Sequence, residues 1–202
     1  MSKPGEIAPL CSIAHPDIGI ITNVGTAHIE FMGSVEAIAE EKGELAKCLP
    51  EHGTFIVSAA CDYIDYFTTR TRAKTLIVGN GRGVVRADNL VMTALGSEFD
   101  LIIQDQESIR VNLPVVGRHM VANALLAAGA GYTLGMTANE IAVGLNKTVL
   151  TSGRLRAFES NGVTIFDDTY NANPESVVAA IDTLSELHES VVKGGEKYVV
   201  LG

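Results

Sequence analysis

Apolar and polar positions along this chain fall into blocks whose period changes repeatedly. Residues 17–23 (DIGIITN) are continuously apolar in their middle, as in a parallel strand covered on both faces. A short polar lead precedes them and a loop, GTAHIEFMG, follows. From Ser34 the period lengthens. Val35, Ile38, Lys42, Leu45 and Leu49 recur with 3-4-3-4 spacing, which predicts an amphipathic helix with one lysine inside its apolar stripe. Ser34 serves as its N-cap, and Glu36 places an acid in the first turn. Residues 54–58 and 75–79 read as strands, with a short helix near 63–69 between them. This alternation predicts βαβ units and a parallel sheet.

Between residues 86 and 113 the pattern shifts to short strands. Residues 91–95 and 98–103 flank Gly96-Ser97, a hairpin turn, and 108–113 continues an antiparallel meander. A helix is expected over 121–134 with Gly135 as its stop. Another starts after Thr137, where Thr137 and Glu140 form a capping box. Residues 146–153 (NKTVLTSG) are small and polar and read as a linker. The βαβ rhythm then restarts, with a parallel strand at 163–167 and a helix opened by Asn173-Pro174-Glu175. That helix carries Val177, Ile181 and Leu184 on one face, and a strand is expected at 197–201. The expected fold class is α/β, a mostly parallel sheet flanked by helices with an antiparallel meander. The expected domains are 1–150 and 151–202. A single βαβ unit cannot bury both faces of its sheet, so the second domain is expected to be incomplete.

Composition removes several classes of protein. The 202 residues are 47% hydrophobic and 19% charged, an ordinary globular balance rather than a disordered one. Fifteen Lys and Arg against 24 Asp and Glu give a net charge of −9, which argues against a nucleic-acid binder. No apolar run reaches the roughly 18–20 residues of a membrane span. The N-terminal stretch has no apolar signal core. Cys11, Cys48 and Cys61 are far apart and in no metal spacing, so they read as free thiols in a reducing compartment. A cytoplasmic chain is expected.

The candidate chemistry lies in four places. TNVGTAH (22–28) puts Asn23 and His28 beyond the carboxyl end of a strand, where ligands of open α/β sheets bind. Both are neutral donors and acceptors useful near a metal or phosphate, although Asn23 could simply cap a turn and His28 be a surface residue. Lys42 must snorkel, pair with a carboxylate, or carry a modification that changes its charge. Carbamylation by CO2 would make it an oxygen ligand suited to Mg²⁺. In GRHMVANA (117–124), His119 and Asn123 are four apart and share a helix face. Asn123 could read an adenine edge or be ordinary helix polarity. Finally, Arg154 in GRLR is a candidate phosphate clamp. Asp167 and Asp168 end a strand where carboxylates commonly meet ribose hydroxyls, and Asn171 and Asn173 crowd the same turn. No GxxxxGK[ST] phosphate loop occurs, and GNGRG (79–83) reads as a turn.

Taken in order, TNVGTAHIEFMGS, EEKGEL, GRHMVANALLAA, SGRLR and DDTYNANPESVVAAI resemble the Mur ligase family over nearly the whole chain. DDTYNANPES is the most specific of these and resembles the branch that joins D-Ala-D-Ala to a UDP-N-acetylmuramoyl tripeptide. The resemblance implies three domains: a UDP-sugar domain, a central ATPase domain and a C-terminal Rossmann-like domain. Residues 1–150 would be the central domain without its phosphate loop, and 151–202 the start of the C-terminal one. It implies an ATP-dependent amide-forming ligase of peptidoglycan synthesis, working as a monomer through an acyl phosphate with Mg²⁺.

Residue by residue, the resemblance implies that His28 helps hold Mg²⁺ with Asn23 beside it. Lys42 would be the family lysine that is often carbamylated and binds a second Mg²⁺. Asn123 would contact adenine, with His119 on the same face, and Arg154 would reach the nucleotide phosphates. Asp168 would bind ribose, and Tyr170 and Asn171 would line that turn. Met120 departs from the family, which usually has asparagine there. The phosphate loop, the acidic Mg²⁺ ligand ahead of PGEI and the UDP-binding domain are missing from these 202 residues. The chain therefore reads as a piece of the ligase, inactive by itself. The competing readings are a non-catalytic Mur-like binding or assembly module and a folylpolyglutamate-type relative.

Overall fold

The computed structural model describes residues 1–79, 83–104, 106–149, 153–190 and 195–201. Six strands hydrogen-bond in chain order: β1 (Ile18–Ile21), β2 (Thr54–Ser58), β3 (Lys74–Val78), β4 (Val85–Met92), β5 (Ser97–Ile103) and β6 (Ile109–Leu113). β1 to β4 pair parallel and β5 with β6 antiparallel. β7 (Arg156–Ser160) and β8 (Val163–Asp167) form a separate antiparallel pair. The helices are α1 (Ile7–Ala14), α2 (Ile29–Met32), α3 (Val35–Cys48), α4 (Ile64–Thr68), α5 (Arg118–Thr133), α6 (Ala138–Asn146) and α7 (Pro174–Ser190). This is the expected α/β class, a mostly parallel sheet with flanking helices. The turn expected at 79–83 and the linker expected at 146–153 fall in part on 80–82 and 150–152, outside the described residues.

The chain divides into two compact units. The first comprises Met1–Arg86 with Leu125–Met136, and the second Ala87–Ala124 with Thr137–Gly202. In the first unit, Phe55, Ile56 and Val57 of β2 are fully buried, which is why that run shows no polar alternation. Ala39 and Ala46 of α3, with Leu49 and Phe67, complete the core around Phe55 and Val57. α5 closes on the same strands through Gly129, where a Cβ would lie 3.0 Å from Val78 and 3.2 Å from Ile56. Glycine costs about 1 kcal/mol in a helix relative to alanine and here allows the backbone to approach.

α1 stands where the pattern suggested only a polar lead. It has no side-chain cap of its own at Glu6. The N–H of its first residue, and that of Gly5 just ahead of the N-cap, are instead satisfied from α3. The carboxylate of Glu41, only 6% exposed, accepts from Gly5 N and Ile7 N at 2.7 Å each. α3 has the expected Ser34 cap, with Ser34 Oγ accepting from Ala37 N at 3.1 Å.

In the second unit, Ser97, Phe99, Leu101 and Ile103 of β5 are buried while the residues between them are half-buried. The Thr137–Glu140 capping box on α6 is present as expected. α5 begins at Arg118, three residues early, because the Gly117 carbonyl already accepts from Met120 N and Val121 N. Two expectations are corrected. β8 was expected as a parallel strand, but it pairs antiparallel with β7, from Arg156 opposite Asp167 to Ser160 opposite Val163. Residues 161–162, Asn-Gly, turn this hairpin with left-handed backbone at both, the geometry that matches strand twist. α7 buries Thr183 and Leu187, the latter packing with Met92 and Val116, while Ile181 is exposed and Val177 and Leu184 are half-buried. Residues 195–201 form no strand: they pair with no described neighbour and Val200 is 94% exposed, and an apolar run without a ladder partner has nothing to hold it extended.

Candidate functional site

In the first unit the candidate residues gather where β1 ends. Thr22 and Asn23 leave its carboxyl end, and α3 brings Lys42 across to them. A cleft of about 190 Å³ opens there, lined by Ile7, Ile20, Ile21, Asn23, Lys42 and Leu45 among others. Lys42 is half-buried, and its Nζ donates to the Asn23 carbonyl at 2.7 Å. The ammonium thus takes a neutral backbone acceptor rather than a carboxylate. Burial pushes its pKa below the usual lysine range, opposed by the nearby Cys61, because desolvation disfavours the charged form. More of Lys42 is therefore the free amine at a given pH, the species that attacks CO2.

His28 is placed differently. It is exposed, has left-handed backbone (φ 66) and precedes α2, with its carbonyl accepting from Phe31 N and Met32 N. Histidine reaches this region more readily than most residues, and such conformations cluster at functional sites. The cleft lining does not include it, so the structure unites Lys42 with Asn23 but not with His28. Among the described residues no three His, Cys, Asp or Glu side chains converge in a way that could hold a metal. One imidazole and a lysine cation make no Mg²⁺ donor set, which demands mainly oxygens. A carbamate on Lys42 replaces that cation with two oxygens, and only in that form do these residues suit the ion.

The second unit holds the other candidates. Arg154 stands over the Tyr170 ring, Cζ to centroid 4.1 Å. In the same turn, Asp168 Oδ1 accepts from Leu155 N at 3.1 Å and Asp167 Oδ2 from Gly153 N at 3.2 Å. The chain closes back through Tyr170 N donating to the Gly153 carbonyl at 2.9 Å. Asn171 is exposed in the same turn. Asn173 caps α7, its Oδ1 accepting from Ser176 N at 2.8 Å, so its place in the polar cluster is that of an N-cap. His119 is half-buried on α5. Burial depresses its pKa and the Asp168 carboxylate partly opposes this, so the ring favours the neutral form that both donates and accepts. Asn123, one turn on, is exposed.

Three pairings were not singled out in the sequence. Glu41 acts at long range, as described. Arg118, at the start of α5, forms a two-point ion pair with Glu186 of α7, Nε to Oε2 at 3.1 Å. Asp167 is engaged by Gly153 and Thr169. The Glu41, Arg118–Glu186 and Asp167–Gly153 pairings join residues distant in sequence and have no local signature, while the Asp167–Thr169 bonds form an Asx turn whose choice between two adjacent acids the sequence does not settle.

With this geometry in place, the comparisons with known proteins are specific. A family model described as the Mur ligase middle domain matches residues 1–131. The chain belongs to the Mur ligase family. Among curated relatives, UDP-N-acetylmuramoyl-tripeptide–D-alanyl-D-alanine ligase of Mycobacterium leprae is 35% identical over 201 residues, covering 91% of this chain and 38% of that protein. The Escherichia coli enzyme of the same name is 34% identical, covering 91% and 41%, and that of Bacillus subtilis 33%, covering 100% and 42%. MurF from Acinetobacter baumannii superposes with TM-score 0.86 at 30% identity, covering 92% of this chain and 41% of its own. MurF of Thermotoga maritima in complex with ADP gives 0.81 at 30%, covering 91% and 42%. The chain thus spans about two fifths of the length of the relatives it matches.

Proposed function

We propose that this chain is the nucleotide-handling segment of an ATP-dependent ligase that joins D-Ala-D-Ala to a UDP-N-acetylmuramoyl tripeptide. The observation that carries the reading is the 153–171 turn, which holds Arg154, Asp168 and Tyr170 together within a chain 33–35% identical to ligases of that name. In the reaction ATP phosphorylates the tripeptide carboxylate, giving an acyl phosphate and ADP. The amine of D-Ala-D-Ala then attacks the acyl carbon and inorganic phosphate leaves. Such chemistry asks a protein mainly for positioning and charge neutralisation.

The residues divide that work. Arg154 presents a planar fork to phosphate oxygens. Asp168, with Oδ1 taken by Leu155 N, has Oδ2 for ribose hydroxyls, and Tyr170 and Asn171 line the same turn. His119 and Asn123 offer neutral donors and acceptors to adenine, weakened by Met120, which brings no amide. His28, with Asn23 beside it, would help hold one Mg²⁺ and carbamylated Lys42 a second; when bound, these ions neutralise phosphate charge. The family match ending at 131 and the separate β7–β8 sheet support a division near residue 150 into a central and a C-terminal domain. The enzyme acts as a monomer in the cytoplasm, where ATP and UDP-sugars are found. The 202 residues contain no GxxxxGK[ST] sequence and are inactive alone.

In the protein that carries this chain, phosphate release from ATP should require both the UDP-muramoyl tripeptide and D-Ala-D-Ala. Release driven by a folate or by a different amino acid would overturn the reading.

A further inference from the structure

We infer that Asp167 is a positioning residue for Arg154, its carboxylate bridging the 153–155 turn to the 167–170 turn so that the guanidinium stands over the Tyr170 ring. What Arg154 does there rests on the function proposed above; how it is held does not.

Arg154 is exposed, so burial does not fix it. It sits between two residues in left-handed backbone, Gly153 (φ 77) and Leu155 (φ 49). For a leucine this conformation is strained, and strain persists only where the surroundings over-determine it. Leu155 is buried, and its N–H is committed to Asp168. The other flank, Gly153, is fixed by Asp167 Oδ2 and by the Tyr170 N–H. A side chain at Gly153 would place its Cβ 2.9 Å from Tyr170 N, so the two turns close directly on each other.

Asp167 is the group that touches both. One oxygen takes the Gly153 N–H, and the other takes Thr169 N at 3.2 Å and Thr169 Oγ1 at 2.7 Å. Hydrogen bonds to a carboxylate are stronger than neutral ones, and these pin two segments with one side chain. The consequence is the stacking distance of 4.1 Å between Arg154 and the ring, well within cation–π range. The Asp-Asp pair thus divides: Asp168 holds Leu155 N through one oxygen, and Asp167 joins the two turns.

The test is the NMR signal of the Arg154 side chain in the protein that carries this chain. Stacking on Tyr170 should displace its δ and ε protons upfield by ring current. Tyr170→Leu should abolish the displacement and Tyr170→Phe should keep it. Asp167→Asn should lose more than half of it with the remaining amide spectrum unchanged. Full displacement in a folded Asp167→Asn overturns the inference. Should that variant unfold, Thr169→Val, which removes only the hydroxyl bond to Asp167, decides: partial loss is expected, and full displacement overturns. Turnover separates this from the proposed function. In the ligase carrying this chain, Asp167→Asn should lower kcat in the Arg154 background and add nothing to Arg154→Ala. Additive losses overturn the positioning role, whereas an Arg154→Ala enzyme of unchanged kcat overturns the reading of Arg154 and leaves the spectroscopic result to judge Asp167.

Discussion

A lysine inside an apolar stripe must place its charge somewhere, and Lys42 places it against one backbone carbonyl. That is poor compensation for burial, hence the depressed pKa. The free amine adds to CO2 and releases a proton, giving an anionic carbamate in place of a half-buried cation. With ¹³C-labelled bicarbonate near neutral pH, a carbamate carbon signal is expected from the wild-type chain and none from Lys42→Arg. An unlabelled lysine at saturating bicarbonate would remove the proposed metal ligand. His119 makes a second residue-level prediction. Its folded pKa lies below the ordinary 6.5 because burial disfavours the imidazolium. The unfolded chain therefore binds more protons, and stability falls as pH drops through 6.5 toward the folded value. The melting temperature should decline between about pH 7 and pH 5.5, and less steeply in His119→Gln. Equal slopes in both proteins would mean that His119 titrates in the fold as it does in water.

Elements whose stabilising contacts are local were readable from sequence, and those held from a distance were not. Ser34 on α3 and the Thr137–Glu140 box on α6 satisfy N–H groups within three residues, so both helices were visible. α1 is capped by Glu41, 34 residues away from Ile7, and no window along the chain contains both. The expected stripe on α3 left Glu41 off the core face, yet it is buried because α1 covers it. β7 was missed although Asn161-Gly162 between apolar runs is a hairpin signal. The 197–201 run shows the opposite error, since strand composition forms no strand without a partner. The site follows the same rule. Lys42 stood out because it broke a pattern, while Asp167 and Asp168 are adjacent identical residues whose roles differ only in three dimensions. The cap gives a direct prediction. Glu41→Ala leaves the Gly5 and Ile7 N–H groups without their acceptor and should cost about 1–3 kcal/mol. Hydrogen exchange at those two amides should accelerate while that of β2 is unchanged until global unfolding. Slow exchange at both in the variant would show that α1 is held by packing alone.

The whole chain is a poor electrostatic partner for a nucleotide. It carries a net charge of −9 with a pI near 5.0, so its long-range field repels triphosphate rather than steering it. Affinity must come from local groups. The phosphate-facing cation proposed in the second unit is Arg154, which stands over the Tyr170 ring. Lys42 in the first unit becomes an anion if carbamylated. Backbone N–H cradles are the usual remedy for phosphate on an acidic protein, and the sequence that builds one, GxxxxGK[ST], does not occur among the 202 residues. The polar groups proposed to orient the nucleotide, Asp168 and Asn123, carry no positive charge to offset that repulsion. Mg·ATP should therefore bind this chain more weakly than about 1 mM, or about 4 kcal/mol, when titrated by calorimetry at physiological salt. Raising the salt should not weaken the binding further, because screening relieves net repulsion here. Micromolar affinity, or affinity that falls steeply with salt, would mean that the chain contains a cationic phosphate site other than Arg154.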